Sequence, residues 1–434
     1  MAGRRPPAAH DRDRGRGRKA DDDAVALDRL LAAKEIVICC GSGGVGKTTT
    51  AAALAAMAAA HLGGKVLVIT VDPARRLATA LGLEQFGNVE TRVPHELFVE
   101  AGTEPRGELW AAMLDTKQSW DDLVRAHAPD AATRDAILAN PLYDNITSRF
   151  VHSHDYIAME RLYDIHRSGR YDLIVVDTPP TRNAIDFLEA PERMADFFSS
   201  RLLRWLTVPA KSRVFTMASK PFYRVADRIL GSQFLEDIAQ FFLLFQTMYD
   251  GFVERSRAVT RTLADKRTTF VVVSTLEPAP VREAEFFVDA LAERRFHLGA
   301  IVLNKVLPEW FMARGTTGVA KRLCSRSDAL AAGLPAELAE AVRLEAGAER
   351  SEHGVSSGGG GGDGDLGETE QVGRVLAEVG ESFLNFQLVA KREAEQRAEL
   401  ASRADVLAAV PYADHDITDL SGLLELGDEL WRER

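Results

Sequence analysis

The run Gly41-Ser42-Gly43-Gly44-Val45-Gly46-Lys47-Thr48 constrains this chain more than any other stretch, because it fits the pattern G-x-x-x-x-G-K-[ST]. An apolar run, Ile36 to Cys40, precedes it, and an alanine-rich helical run, Thr49 to His61, follows. Between a strand and a helix, successive backbone N–H groups can turn inward on phosphate oxygens, with glycine wherever a Cβ would collide. Lys47 then reaches the β- and γ-phosphates, and the Thr48 hydroxyl takes a place on Mg2+.

Short, nearly continuous apolar runs recur and read as strands buried on both faces of a parallel sheet: Glu35–Cys40, Lys65–Val71, Leu97–Glu100, Leu173–Asp177, Thr269–Ser274, Leu298–Asn304 and a last one near Val406–Val410. Helical patterns separate them, so the expected fold is α/β, a doubly wound, mostly parallel sheet of the P-loop NTPase kind with helical insertions. The expected organisation is a tail over 1–24 and an ATPase core over 25–307, with helical insertions at about 107–168 and 191–263. A further helical insertion follows over 308–405, carrying a glycine-rich linker at 354–367, and 406–434 return a strand and helix to the core. No phosphate loop is duplicated, so a single nucleotide site is expected.

A net charge of −11 argues against a general nucleic-acid or anionic-membrane binder. No run is long and apolar enough for a transmembrane segment. Cys39, Cys40 and Cys324 do not make a disulfide framework, which suits a reducing, cytoplasmic setting. The arginines of the tail are interrupted by Asp11, Asp13 and Asp21 to Asp23, the mark of a solvated segment and not of a targeting signal.

Two carboxylates stand at strand ends. Val66 to Val71 runs into Asp72-Pro73, where a carboxylate beside the phosphate loop can orient an attacking water; a turn-starting Asp is the equal alternative. Asp177 ends Leu173-Ile174-Val175-Val176 and reads as the carboxylate that holds Mg2+ near Thr48.

Together, the loop from Gly41 through Thr49, the Thr70-Val71-Asp72-Pro73-Ala74 run and the Asp177-Thr178-Pro179-Pro180-Thr181 run resemble the ATPase family of the arsenite pump (ArsA) and of the guided-entry factor that targets tail-anchored proteins. The run Asp177 to Asn183 is most similar to an actinobacterial branch called anion-transporting ATPases. The resemblance implies ATP and Mg2+ as ligands, held by Gly41 through Thr49. It implies Asp72 as the residue polarising water in switch I, and Asp177 as the reader of the γ-phosphate in switch II. Asn304 is implied as an adenine contact, although its place at a strand end equally suits a turn. A homodimer, or a heterodimer with a paralogous ATPase, is also implied, together with a hydrophobic client or membrane-protein partner bound by a helical subdomain.

The chain departs from that family in three places. The family's loop carries a lysine where Ser42 stands, and that lysine reaches the partner's phosphates. A trans cation accelerates phosphoryl transfer about 10³–10⁵-fold, so the expectation is that another cation (Arg75, Arg76, Arg182) or a lysine-bearing paralogue replaces it, or that the chain binds ATP as a regulatory subunit and hydrolyses it very slowly. The switch II His is Asn183, and neither the arsenite-pump cysteines nor a C-x-x-C pair is present, so arsenite extrusion is not implied. His152-Ser153-His154 lacks further ligands for a metal. Finally, Phe197 to Leu206 and Ile238 to Phe252 are apolar enough for a client groove, though such stripes are more often core.

Overall fold

A computed structural model describes residues 27–71, 76–83, 87–149, 151–178, 189–194, 196, 240–334, 368–413 and 416–431. The expectations for the 1–24 tail, Asp72, Arg75, Arg182, Asn183, Phe197 to Leu206 and the 354–367 linker lie outside these residues, as does the side chain of Arg76.

In chain order the first elements are α1 (Leu27–Ala32), β1 (Ile36–Cys40), α2 (Lys47–Met57), β2 (Gly64–Thr70), α3 (Arg76–Ala80), β3 (Thr91–Arg92), α4 (His95–Glu100) and β4 (Gly107–Met113). Four helices follow, α5 (Thr116–His127), α6 (Ala131–Leu138), α7 (Pro141–Arg149) and α8 (Val151–Arg167), before β5 (Leu173–Asp177). Then come α9 (Tyr249–Leu263), β6 (Thr268–Ser274), α10 (Pro278–Glu293), β7 (Leu298–Val306), α11 (Arg314–Ser325), α12 (Ser327–Ala331), α13 (Glu368–Ala401), β8 (Val406–Pro411) and α14 (Leu420–Trp431).

The strands form one sheet in the order β3-β4-β2-β5-β1-β6-β7-β8. β3 runs antiparallel to β4, and the pairs from β4 through β7 are parallel. β1, β5 and β6 are buried along their whole length. Continuous apolar runs with β-branched residues suit strands covered on both faces.

One strand expectation fails. Leu97–Glu100 is the end of helix α4, not a strand. Pro94 occupies its N-cap position, Phe98 is buried and Val99 is half exposed, so only one face of the run is covered. The missing strand is β4, in the stretch read as helical from 107. Its alanines suggest helix, but Leu109 and Ala111 alternate onto the main core while Trp110 faces the other way toward Tyr171. The helices of that stretch begin at Thr116, where the Asp115 carboxylate caps α5 by accepting from the Gln118 N–H at 2.8 Å.

From Thr50 on, α2 is buried on every side, and so are Ala58 to Ala60 of the π-helical turn (Ala58–Leu62) that continues it. A helix between a sheet and α14 has room only for small side chains, and alanine supplies them with the best helix propensity. Gly427 of α14 lies so close to Met57 that a Cβ there would collide with the thioether.

The described residues divide into two compact units. One comprises those up to Asn304, Leu400–Val410 and those after 415; the other comprises Lys305–Glu399 and Pro411–Ala413. In the second unit α13 packs along α11 and α12 through glycines. A Cβ at Gly380 would lie 2.7 Å from Cys324 Sγ, and one at Gly373 would lie 2.6 Å from Asp328 Oδ1. The Gln387 amide donates to the Phe311 carbonyl at 3.0 Å and to Thr317 Oγ1 at 2.6 Å.

Candidate functional site

Strand order sets what stands next to the glycine-rich loop. β5 lies between β1 and β2, with Asp177 level with Cys39 on one side and Thr70 on the other. The ends of three strands therefore meet at one carboxylate. Asp177 Oδ2 accepts from Thr48 Oγ1 at 2.7 Å and from Thr70 Oγ1 at 2.9 Å. The Asp177 carbonyl accepts from the Val71 N–H at 3.2 Å, which fixes the exit of β2 just before Asp72. The next residue, Thr178, donates its hydroxyl to the Cys39 carbonyl at 2.9 Å.

The loop backbone has the shape its glycines allow. Gly41, Gly44 and Gly46 have φ values of 149°, 81° and 93°. A Cβ on Gly41 would collide with the Val273 carbonyl oxygen of β6. Lys47 opens α2, buried, and its ammonium donates to the Ser42 carbonyl at 3.0 Å across the loop. Gly43 and Gly44 are exposed, whereas Val45 is anchored in the core. Thr49 follows on the first turn of α2. Ser42 Oγ is buried without a hydrogen-bond partner among the described residues.

Asn304, near the end of β7, lies against the same loop. Its Nδ2 donates to the Val45 carbonyl at 2.9 Å, and Gly46 has no space for a Cβ because that amide fills it. The strand-end position expected of Asn304 is thus accompanied by a contact with the loop backbone that its sequence position did not suggest. Thr70 and Thr178 were also missed. The signal for both was available, as a threonine within two residues of each strand-end Asp, two before Asp72 and one after Asp177.

These groups suit a phosphate and a hard cation. Inward-turning backbone, one ammonium and a hydroxyl–carboxylate pair of oxygen donors are the chemistry that Mg2+ and polyphosphate require. The cysteines do not belong to it. Burial, helped by the Asp177 charge, pushes the Cys39 thiol far up, and burial does the same to Cys40. Among the described residues no group of His, Cys, Asp and Glu could hold a metal; His152 to His154 lie on α8.

Beyond the sheet, α5 to α9 and the 189–194 and 240–246 helical stretches build a second core. Trp120, Tyr143, Tyr156, Phe241, Phe245, Met248 and Phe252 are its bulk. The apolar residues between Phe241 and Phe252 are therefore mostly core, and a groove reading of that stretch does not hold for these buried rings. Inside this layer Arg255 Nε lies 2.6 Å from Glu160 Oε1, and Tyr156 OH donates to Glu160 Oε2 at 2.9 Å. Burial raises the Glu160 carboxyl above the usual range, with Arg255 and the Tyr156 hydroxyl opposing the rise.

A family model described as Anion-transporting ATPase matches residues 34–322, which include the loop, Thr70, Asp72, Asp177 and Asn304. Among curated proteins, one of Aquifex aeolicus (strain VF5) named "Putative arsenical pump-driving ATPase 2" is 24% identical over 259 residues. That alignment spans 57% of this chain and 72% of the relative. No helix among the described residues is long and apolar enough to cross a membrane.

Proposed function

Because the chain belongs to the anion-transporting ATPase family, we propose that it binds ATP with Mg2+ through Gly41 to Thr49 and Asp177, hydrolyses it, and passes the nucleotide state to its helical layer. The observation that carries this reading is the junction at Asp177, where the hydroxyls of Thr48 and Thr70 meet one carboxylate.

Thr48 and Asp177 would hold Mg2+, which supplies positive charge to the phosphoryl oxygens during transfer. The loop amides and the Lys47 ammonium fix the β- and γ-phosphates in a backbone already shaped for them, so little reorganisation accompanies reaction. Asp72 would orient the attacking water in line, from a segment whose start is tied to Asp177 through Val71. Asn304 braces the loop through the Val45 carbonyl, and the family resemblance would make it an adenine contact as well.

Ten residues separate Thr178 from Glu189. On re-entry, Ala190 and Met194 lie in the aromatic core of the helical layer, and Glu189 is paired with Arg294 at the end of α10. A change at the γ-phosphate that moves Asp177 and its following segment would pull on that core. That coupling supports a switch over a metabolic enzyme, while a dimer and a hydrophobic client or membrane-protein partner are carried into the proposal by the family resemblance alone.

Ser42 supports a second reading. Its short hydroxyl carries no charge and cannot cross to another subunit's phosphates, so the chain would be a slow ATP-binding member of a heteromer with a lysine-bearing paralogue. Single-turnover hydrolysis by the purified chain, beside Ser42→Lys and Asp72→Asn, separates the two. Turnover in the parent that is lost in Asp72→Asn supports a complete site. Tight binding with negligible turnover, restored by Ser42→Lys, supports the heteromer; no ATP binding at all would overturn both.

A further inference from the structure

α13 carries a seam that its own unit leaves open. Val375, Val379, Ser382, Phe386 and Val389 follow one another at alternating spacings of four and three, the a/d repeat of a coiled coil, while Val372, one step earlier, is buried within the unit and Glu393, one step later, is half-buried. The helix buries its other flank against α11 through Gly380 and Gln387, whereas Val379, Phe386 and Val389 remain 53%, 49% and 45% exposed. Beside them Trp310 is 54% exposed and stacks on Phe311 and Phe383, and Phe311 in turn meets Phe386. The seam closes at Glu393, whose carboxylate is occupied by the Leu307 N–H at 2.9 Å. All of α13 lies beyond residues 34–322, the part shared with the family.

The charges flanking the seam select its occupant. Glu378, Asn385 and Arg392 form the exposed row beside it, one heptad apart. In an antiparallel pair of identical helices centred on Asn385, Glu378 of each faces Arg392 of the other. Val379 then meets the second copy's Val389, and Ser382 meets its Phe386, small against large. A parallel pair would instead set Arg392 against the second copy's Arg397, like charge against like. Among the described residues neither Glu378 nor Arg392 has an ion-pair partner, whereas Arg397 is held by Glu309 at 3.6 Å.

We propose that the exposed Val379–Val389 face of α13 is a self-association surface, on which a second copy of this chain docks antiparallel about Asn385. It involves no residue of the phosphate loop, so this association forms without nucleotide and is independent of the ATPase reading.

The test is sedimentation of the full chain without nucleotide, for the parent, Glu378→Arg, Arg392→Glu and the double reversal. The expected result is a parent dimer weakened at least about tenfold by each single reversal and restored by the pair, since like charges placed directly opposite are destabilising. Asn385→Cys, on the two-fold axis, should form an interchain disulfide on mild oxidation. A parent that stays monomeric, whether the face binds another segment of the chain or a different protein, overturns the proposal. So does a dimer indifferent to all three reversals, or an Asn385→Cys chain that does not cross-link.

Discussion

The packing around α2 and the packing of the helical layer are built on opposite principles. α2 is surrounded by methyl groups and glycines, with no atom to spare between Met57 and Gly427 or between Gly41 and Val273. The helical layer is filled by large rings, Trp120, Tyr156 and Phe252 lying about 6 Å apart centroid to centroid, and it contains a buried ion pair between helices 95 positions apart in the chain. A methyl-packed helix admits one arrangement and holds the phosphate loop in register. A ring-packed layer with one polar clasp can repack more readily, which suits the part that responds.

The largest effect should come from breaking the clasp on one side. Glu160→Ala leaves a buried guanidinium uncompensated and should cost about 3–5 kcal/mol in urea unfolding, whereas replacing both Glu160 and Arg255 by apolar residues should be near neutral. A cost below about 1 kcal/mol for Glu160→Ala would remove the contrast between the two regions. On the other side of the comparison, Gly41→Ala should cost about 2–3 kcal/mol, because the new methyl meets backbone that cannot swing away. Phe245→Leu in the helical layer should cost clearly less; equal costs would mean that the layer is as intolerant as the sheet.

How far the sequence carried differs between these regions in the same way. The glycine-rich loop, the carboxylate that ends β5 and most strands were legible because each is a local pattern: a glycine spacing, or an apolar run that ends in Asp. Leu97–Glu100 was misread because four apolar residues suit a strand or one helical turn equally, and only burial of Phe98 with exposure of Val99 decides. The approach of Asn304 to Val45 spans 259 positions, and the Glu160–Arg255 pair spans 95. Contacts of that separation leave no periodic trace.

Asn304 sharpens the point further. If its amide serves the loop, Asn304→Ala should weaken ATP and GTP alike, by about fivefold for one lost hydrogen bond of about 1 kcal/mol. Calorimetry that finds ATP affinity alone reduced would assign the residue to the base instead. The smallest effect is expected at the opposite ends of the strands, just before β1 and β6, where Arg267 bonds both Asp265 and Glu35. The Arg267 bonds hold Asp265 down at about 2, whereas Glu35 is depressed first by its hydrogen bond to His166 and then by Arg267. A depressed carboxylate stabilises the fold above its unfolded value and loses that contribution as pH falls. The stability difference between the parent and Arg267→Gln should therefore be constant above about pH 5 and shrink toward about pH 2. A difference that grows on acidification would reverse the assignment.

A switch of this kind requires that the nucleotide state move the helical layer while α2 stays fixed, and amide hydrogen exchange with Mg2+ and either ATP or ADP measures this directly. The predicted result is a change in protection across α5 to α9 between the two nucleotides, with α2 and α14 equally protected in both. Exchange differences confined to the phosphate loop, with α5 to α9 unchanged, would contradict it.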